Sequence, residues 1–508
     1  MAATQAFAAQ PFLPSVPSSD NMPTVPATPE QIMQRYLSTR PAQDQVENVA
    51  ATQNKVKQRY LSTNAAPSQQ SEPKLWTMIN SYFPKAGSDF QFWWRTTGIP
   101  FAILLEKSGY PTDAQCQHLL FYYCCVVPEL GAGPNAQGLP KQWKSFMTDH
   151  YAPIELSWEW GTGGQNPTVR FSIEPISLEA GTPADPLNQY ATDRLVRQYQ
   201  PLLADCDLSL FNHFSKELLG YNFTPDEASA KSEEPQGHAS RTFIAFELGK
   251  EGVMLKAYFL PSFRAAELKQ STWKTIVQSI EDLPNYSPSS FSGLTAIQNY
   301  LDTSRQGPNI QAELFAIDCI AATQSRLKIY VRSRETNFDS VKDVMTLGGL
   351  LEDSKTTRGL QELERLWRLS LALPQDFSNS DELPQRDHRT AGILYYFDIK
   401  QVNHTPGVKV YIPVRHYGST DMGVAEGLAV YLEGRGQGHF ARRYIDALKS
   451  MSPGSSLRNS LGIQTYIGCS IVKGELKLIS YVAPTVYSQS KGSILCISEH
   501  GRRSDFNS

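Results

Sequence analysis

Apolar and polar positions alternate with a period of two in five places along the chain: about 152–174, 242–260, 313–332, 392–415 and 464–487. Each place holds two alternating runs around a turn signal. The turns carry Gly161, Gly163 and Gly164; Gly249 and Gly252; Thr323–Ser325; His404–Gly407; and Gly474. This pattern predicts five β-hairpins. Between them the apolar period becomes helical. Trp273, Ile276, Val277 and Ile280 recur at i, i+3, i+4 and i+7, and Leu360/Leu363/Trp367 and Val424/Leu428/Tyr431 do much the same. Upstream, Trp76, Phe83, Phe92, Trp93 and Trp94 open the dense apolar body. Asp113 is placed to cap a helix that ends before Pro128. Hairpins demand antiparallel pairing, which excludes the parallel sheet of an α/β barrel. Ten antiparallel strands with helices over one face lose their edges by closing. The expected fold is therefore α+β: five ααββ-type repeats forming a closed ten-strand barrel inside a ring of helices, wide enough to enclose a chamber.

Composition narrows the function. The 508 residues are 41% hydrophobic and 19% charged, with a net charge of −3. No global basic field favours nucleic acid or an anionic membrane, so anion binding requires locally placed cations. Cys116, Cys124, Cys125, Cys206, Cys319, Cys469 and Cys496 are odd in number and form no CxxC pair, which argues for a reducing compartment and against a disulfide framework or zinc site. The longest apolar run, Leu119 to Val127, is too short to span a bilayer, and no basic-then-apolar leader is present. A cytoplasmic protein is expected. Residues 1–72, rich in Ala, Pro, Gln, Ser and Thr, are expected to be disordered; 73–490 form the barrel domain and 491–508 a tail. The hexapeptide QRYLST at Gln34–Thr39 and Gln58–Thr63 is either a local duplication or a docking motif.

The second run of each hairpin carries the candidate chemistry. These runs hold Arg170; Lys256 and Tyr258; Arg326, Lys328 and Tyr330; Lys409 and Tyr411; and Lys477, Ile479 and Tyr481. Residues two apart on a strand share a face. In four of the five, a cation therefore lies one or two steps below a tyrosine on one face. With helices outside, that face points into the chamber. Unpaired inward cations cost several kcal/mol each, unless an anion of high charge density such as a diphosphate binds among them. Tyrosine faces stabilise a carbocation by roughly 0.5–2 kcal/mol per ring and exclude water. Ionisation of an allylic diphosphate needs both parts. The chain has no DDxxD-type cluster and no Gly-rich P-loop, so catalysis without a metal or other cofactor is expected. Glu155, Ser157 and Glu159 share one face of PIELSWEW, and Glu155 follows an apolar stretch that favours a raised pKa. It is the candidate base, the alternative being a cross-hairpin pair with Arg170.

FWWRTTG, PIELS, VRFSIEP, KAYFLP, the Asp318–Cys319 pair before SRLKIY, KVYIPVRHYG and TYIG together resemble the fungal indole prenyltransferases of the dimethylallyltryptophan synthase family, from about Trp76 to Tyr487. The resemblance implies the αββα (ABBA, or PT) barrel and dimethylallyl diphosphate as co-substrate. It implies Glu155 as the partner of the indole nitrogen, and Arg170, Lys256, Arg326, Lys328 and Lys409 as diphosphate contacts. Tyr258, Tyr330, Tyr411, Tyr466 and Tyr481 would shield the carbocation. Three positions depart from the family pattern. Phe243 stands where members that prenylate C4 of free tryptophan have lysine. Glu313 stands where they hold the carboxylate with arginine, and would repel it. The last phosphate-binding arginine is replaced near Val472, with Lys473 or Lys477 as substitutes. The first two departures favour a neutral acceptor such as a tryptophan-containing cyclic dipeptide. The alternatives are free tryptophan at another ring position, tyrosine or another phenol, or a barrel that binds a hydrophobic anion without turnover. Only small-molecule partners are expected, on a monomer or homodimer.

Overall fold

The structure, a computed structural model, describes residues 72–83, 86–161, 165–203, 205–220, 238–249, 252–401, 405–452 and 457–487. The expectations for residues 1–71, both QRYLST copies, the tail from 488 onward and the tips of three hairpins lie outside these residues.

The five hairpins form as the alternation predicts. They are β1 (Ile154–Glu159) with β2 (Thr168–Ile173), β3 (Thr242–Gly249) with β4 (Gly252–Phe259), β5 (Ile310–Asp318) with β6 (Arg326–Ser333), β7 (Ile393–Lys400) with β8 (Gly407–Ile412), and β9 (Gln464–Val472) with β10 (Glu475–Val482). Every neighbouring pair is antiparallel, and β1 pairs with β10, closing a ten-stranded barrel. The last hairpin turns on Lys473 (φ 54°) and Gly474 (φ 84°). Two consecutive left-handed residues match the twist of the flanking strands.

Alternation sorts the side chains. Ile154, Leu156 and Trp158 of β1, Phe171 of β2, Phe246 of β3 and Ile329 of β6 point outward, each at most 1% exposed. They pack under the helices in one continuous core. The helical periods land where expected, in Thr272–Glu281, Ser354–Leu371 and Asp421–Glu433. Trp76 and Trp94 stack at 5.4 Å in the N-terminal helices, and Trp158 meets Tyr444 edge-on at 5.4 Å. Burying each such ring contributes about 1.5–3 kcal/mol.

The helix assigned to Asp113 differs at both ends. It runs Thr112–Phe121 with Pro111 at its N-cap, which places Asp113 inside the first turn. Asp113 favours the helix there through the dipole, not as a cap. The chain then widens into a π-turn, Tyr122–Val126, and tightens into a 3-10 turn, Val127–Glu129, that includes Pro128. A proline at the start of a turn loses no needed hydrogen bond.

Candidate active site

The inward face of the barrel is ordered in three layers along its axis. At one end, a chamber is lined by Arg170, Lys256, Arg326, Lys328, Lys409 and Lys477. At the other, a second chamber is lined by Glu155, Phe243, Glu313, Arg332, Thr465 and Tyr466, among others. Tyr258, Tyr330, Tyr411 and Tyr481 line both chambers and form the layer between them. They belong to an interior cluster separate from the outer core.

The cations are inside, but they are not bare as the sequence suggested. The first strand of a hairpin brings an acid to the level where a neighbouring second strand brings a base. Arg170 faces Glu247 in register, Lys256 faces Asp318, and Lys328 faces Asp398. Asp318 accepts from Arg326 Nε at 2.6 Å and Lys328 Nζ at 2.7 Å. Burial opposes its ionisation, yet Lys328, Arg326 and Lys256 outweigh this and hold it well below the usual carboxylate range. Glu247 pairs with Lys256 and with Arg170. Glu159 pairs with Arg170 and, at 2.9 Å, with Lys477 at the chamber rim. Arg170 thus bonds Glu159 and Glu247 rather than Glu155. Lys473, the other proposed substitute cation, is exposed in the hairpin turn, whereas Lys477 reaches the chamber.

Lys409 breaks the pattern, because β9 offers Ser470 at its level. Its ammonium lies 4.7 Å from the Tyr411 ring, 5.7 Å from Tyr481 and 5.8 Å from Tyr396. Burial, with repulsion from Arg170, pushes its pKa down to about 7. The tyrosine cage therefore already holds a cation among its faces. Gly468 makes this possible: a Cβ there would lie 2.7 Å from Lys409 Cε and 3.2 Å from the Tyr481 ring. Ring centroids in the cage are 5.2–6.1 Å apart, including Tyr330–Tyr396 at 5.2 Å and Tyr411–Tyr466 at 6.1 Å. Tyr466 sits on the far side, away from the cations.

In the second chamber Glu155 Oε1 accepts from the Thr465 hydroxyl at 2.7 Å. Burial raises the Glu155 pKa to about 7, opposed by the Thr465 hydrogen bond and assisted by Asp149. Such a carboxyl accepts a hydrogen bond from an N–H or O–H and takes up a proton near neutrality. Phe243 lines the wall beside Tyr258, its partner in register. Glu313 is neutralised by Arg332, whose Nε and Nη2 donate to its two oxygens at 2.5 and 2.8 Å. Arg415 donates Nε to Asp149 at 2.8 Å. Asp149, His388 and His416 have metal-ligand chemistry. They are satisfied from within the protein: the Thr390 hydroxyl lies 3.1 Å from Asp149, 2.9 Å from His388 Nδ1 and 2.7 Å from His416 Nε2.

Sequence reasoning missed Arg332, Tyr396, Thr465 and the loop residues Phe146 and Asp149. Arg332 continues the Arg326–Lys328–Tyr330 series by one more step of two, so the same rule reaches it. Tyr396 lies on a first strand between outward Tyr395 and Phe397 and needed the face assignment of β7. The loop residues carry no periodic signal.

Solved structures share this architecture. AnaPT from Neosartorya fischeri superposes with a TM-score of 0.69 at 24% identity, over 80% of this chain and 97% of that one. NotF in complex with brevianamide F and DMSPP gives 0.69 at 22%, over 82% and 99%. A closed antiparallel barrel with an outer ring of helices is the ABBA-barrel fold that these structures share. The sequence profile described as tryptophan dimethylallyltransferase matches residues 89–447. A 4-O-dimethylallyl-L-tyrosine synthase of Claviceps purpurea is 37% identical over 82% of this chain and 95% of its own length. A 7-dimethylallyltryptophan synthase of Aspergillus fumigatus is 33% identical over 80% and 87%. The chain belongs to the tryptophan dimethylallyltransferase family and is an aromatic prenyltransferase. None of the described helices is long and apolar enough to cross a membrane.

Proposed function

We propose that this enzyme transfers a dimethylallyl group from dimethylallyl diphosphate to an indole acceptor, without a metal ion. The observation that carries this is the tyrosine layer shared by two chambers, cations on one side and Glu155 on the other. Arg170, Lys256, Arg326, Lys328, Lys409 and Lys477 hold the diphosphate. The allylic C–O bond breaks and the diphosphate leaves with the electron pair. Arg170 Nε, a buried donor without a partner, is available to it. The allyl cation lies against Tyr258, Tyr330, Tyr411 and Tyr481, with Tyr396 and Tyr466 at the flanks. The acceptor ring supplies the new electron pair and Glu155 takes the released proton.

The head of the acceptor is the finer question. Phe243 favours a neutral head, such as that of a tryptophan-containing cyclic dipeptide. The repulsion expected of Glu313 is cancelled by Arg332, so a charged amino-acid head is admitted as well. A second reading, O-prenylation of L-tyrosine, is favoured by the 37% identity to the tyrosine synthase. Mass spectrometry of products from dimethylallyl diphosphate with L-tyrosine, L-tryptophan and a tryptophan-containing cyclic dipeptide tests all three. A prenylated indole supports the first reading, and product from tyrosine alone replaces it with the second. No prenylated product from any aromatic acceptor overturns both.

A further inference from the structure

One wall of the second chamber is not part of the barrel. The segment 143–150 runs across the mouth, and Phe146, Met147, Thr148 and Asp149 line the cavity. It is tied down by a carboxyl that the transfer chemistry does not use. Glu174 follows β2 and is 1% exposed. It accepts from Trp143 Nε1 at 2.8 Å, Ser145 Oγ at 2.5 Å and Ser240 Oγ at 2.7 Å. Ser240 Oγ in turn accepts from the Phe146 backbone N–H at 2.9 Å, and Ser145 Oγ from the Met147 N–H at 3.1 Å. A buried acid is costly unless its hydrogen bonds are made, and here the bonds from Trp143, Ser145 and Ser240 lead to the segment that shapes the chamber.

The Phe146 ring is gripped from both sides. The His238 ring stacks on it at 4.0 Å and 10°, and Arg389 Cζ lies 4.1 Å from its centroid. Two groups at that distance cannot share one face, so both faces are taken. Only the ring edge remains for the chamber. An aromatic edge is electropositive and prefers the face of another ring. Burial, reinforced by Arg389, keeps the His238 imidazole neutral, with a pKa of about 3, so the stack does not titrate near neutrality.

Resting on the reading of this chamber as the acceptor site, we propose that Phe146 is a specificity-determining residue. Its fixed edge sets how the acceptor ring lies over the tyrosine layer, and Glu174 is the positioning residue that holds it through Ser240. The test compares wild type, Phe146→Ala, Ser240→Ala and Glu174→Gln with the three acceptors above. Product ring position is read by NMR, and KM for dimethylallyl diphosphate is measured alongside. Phe146→Ala is expected to change the acceptor preference or the ratio of ring positions by about tenfold, with KM for the diphosphate within about twofold of wild type. Ser240→Ala, which leaves Glu174 its other two donors, is expected to move the ratio in the same direction by less. A folded Phe146→Ala with unchanged ratios overturns the proposal, as does a loss that lowers every product equally. A shift in Phe146→Ala without one in Ser240→Ala or Glu174→Gln removes the positioning role of Glu174. A wild type that prenylates none of the acceptors sinks the reading of the chamber itself.

Discussion

Glu155 and Lys409 are the two side chains whose surroundings change their protonation most usefully. Both are moved toward about 7 by burial, from opposite sides. The pH dependence follows with its sign. Glu155 is a base only when ionised, so kcat/KM for the acceptor rises through about pH 7 and levels off above it. Lys409 binds an anion best when protonated, so affinity of the empty enzyme for diphosphate falls over the same range. Glu155→Gln should lower kcat on the order of 10²–10⁴-fold and abolish the rising limb, while diphosphate binding measured by calorimetry survives. Normal turnover in that variant removes Glu155 from the mechanism. The position of Glu155 was legible because Glu155, Ser157 and Glu159 share a face. Its hydrogen bond to Thr465 was not, because that contact joins residues 310 apart in sequence.

At the scale of the strand, four of the five second strands carry cation then tyrosine, and four of the five first strands carry the answering acid. The cations were legible from a step of two, and the same step gives Glu247, Asp318 and Asp398 on the facing strands. What the alternation lacks is register, which decides that Lys328 meets Asp398 and that Lys409 meets Ser470 and Tyr396 instead of an acid. Without register, the cations read as mutually repelling. In the structure four carboxylates, Glu159, Glu247, Asp318 and Asp398, offset part of that charge, and an incoming diphosphate would share the cations with them. At Gly468 this packing leaves no room for a side chain, since a Cβ would lie 2.7 Å from Lys409 Cε. Gly468→Ala should push the Lys409 ammonium out of the cage and raise KM for dimethylallyl diphosphate about tenfold or more, by about 1.5–3 kcal/mol of lost hydrogen bonding to a charged group. An unchanged KM would show that Lys409 has room to move aside. Tm should fall little, because the new methyl meets the end of a flexible side chain.

For the molecule as a whole, the five hairpins and the helices between them were written in the periodicity, and the closed barrel follows from giving ten antiparallel strands no free edge. The mouth loops were not, since Phe146, Asp149 and Thr390 converge from segments without a repeating pattern. The carboxylates of the cationic chamber are engaged by lysines and arginines, which leaves them poorly suited to a divalent ion. Activity is therefore expected to persist in excess EDTA, and its loss with rescue by Mg²⁺ would reverse that expectation. The seam of the barrel has a further consequence. Leu156 of β1 pairs with Val482 of β10, so the ring is completed by the first and the last of the ten strands in chain order. Until β10 has emerged, β1 presents an unpaired strand edge to its surroundings. Closure of the barrel thereby waits for β10, and a chain halted before residue 475 is a natural client for chaperones that shield exposed strands.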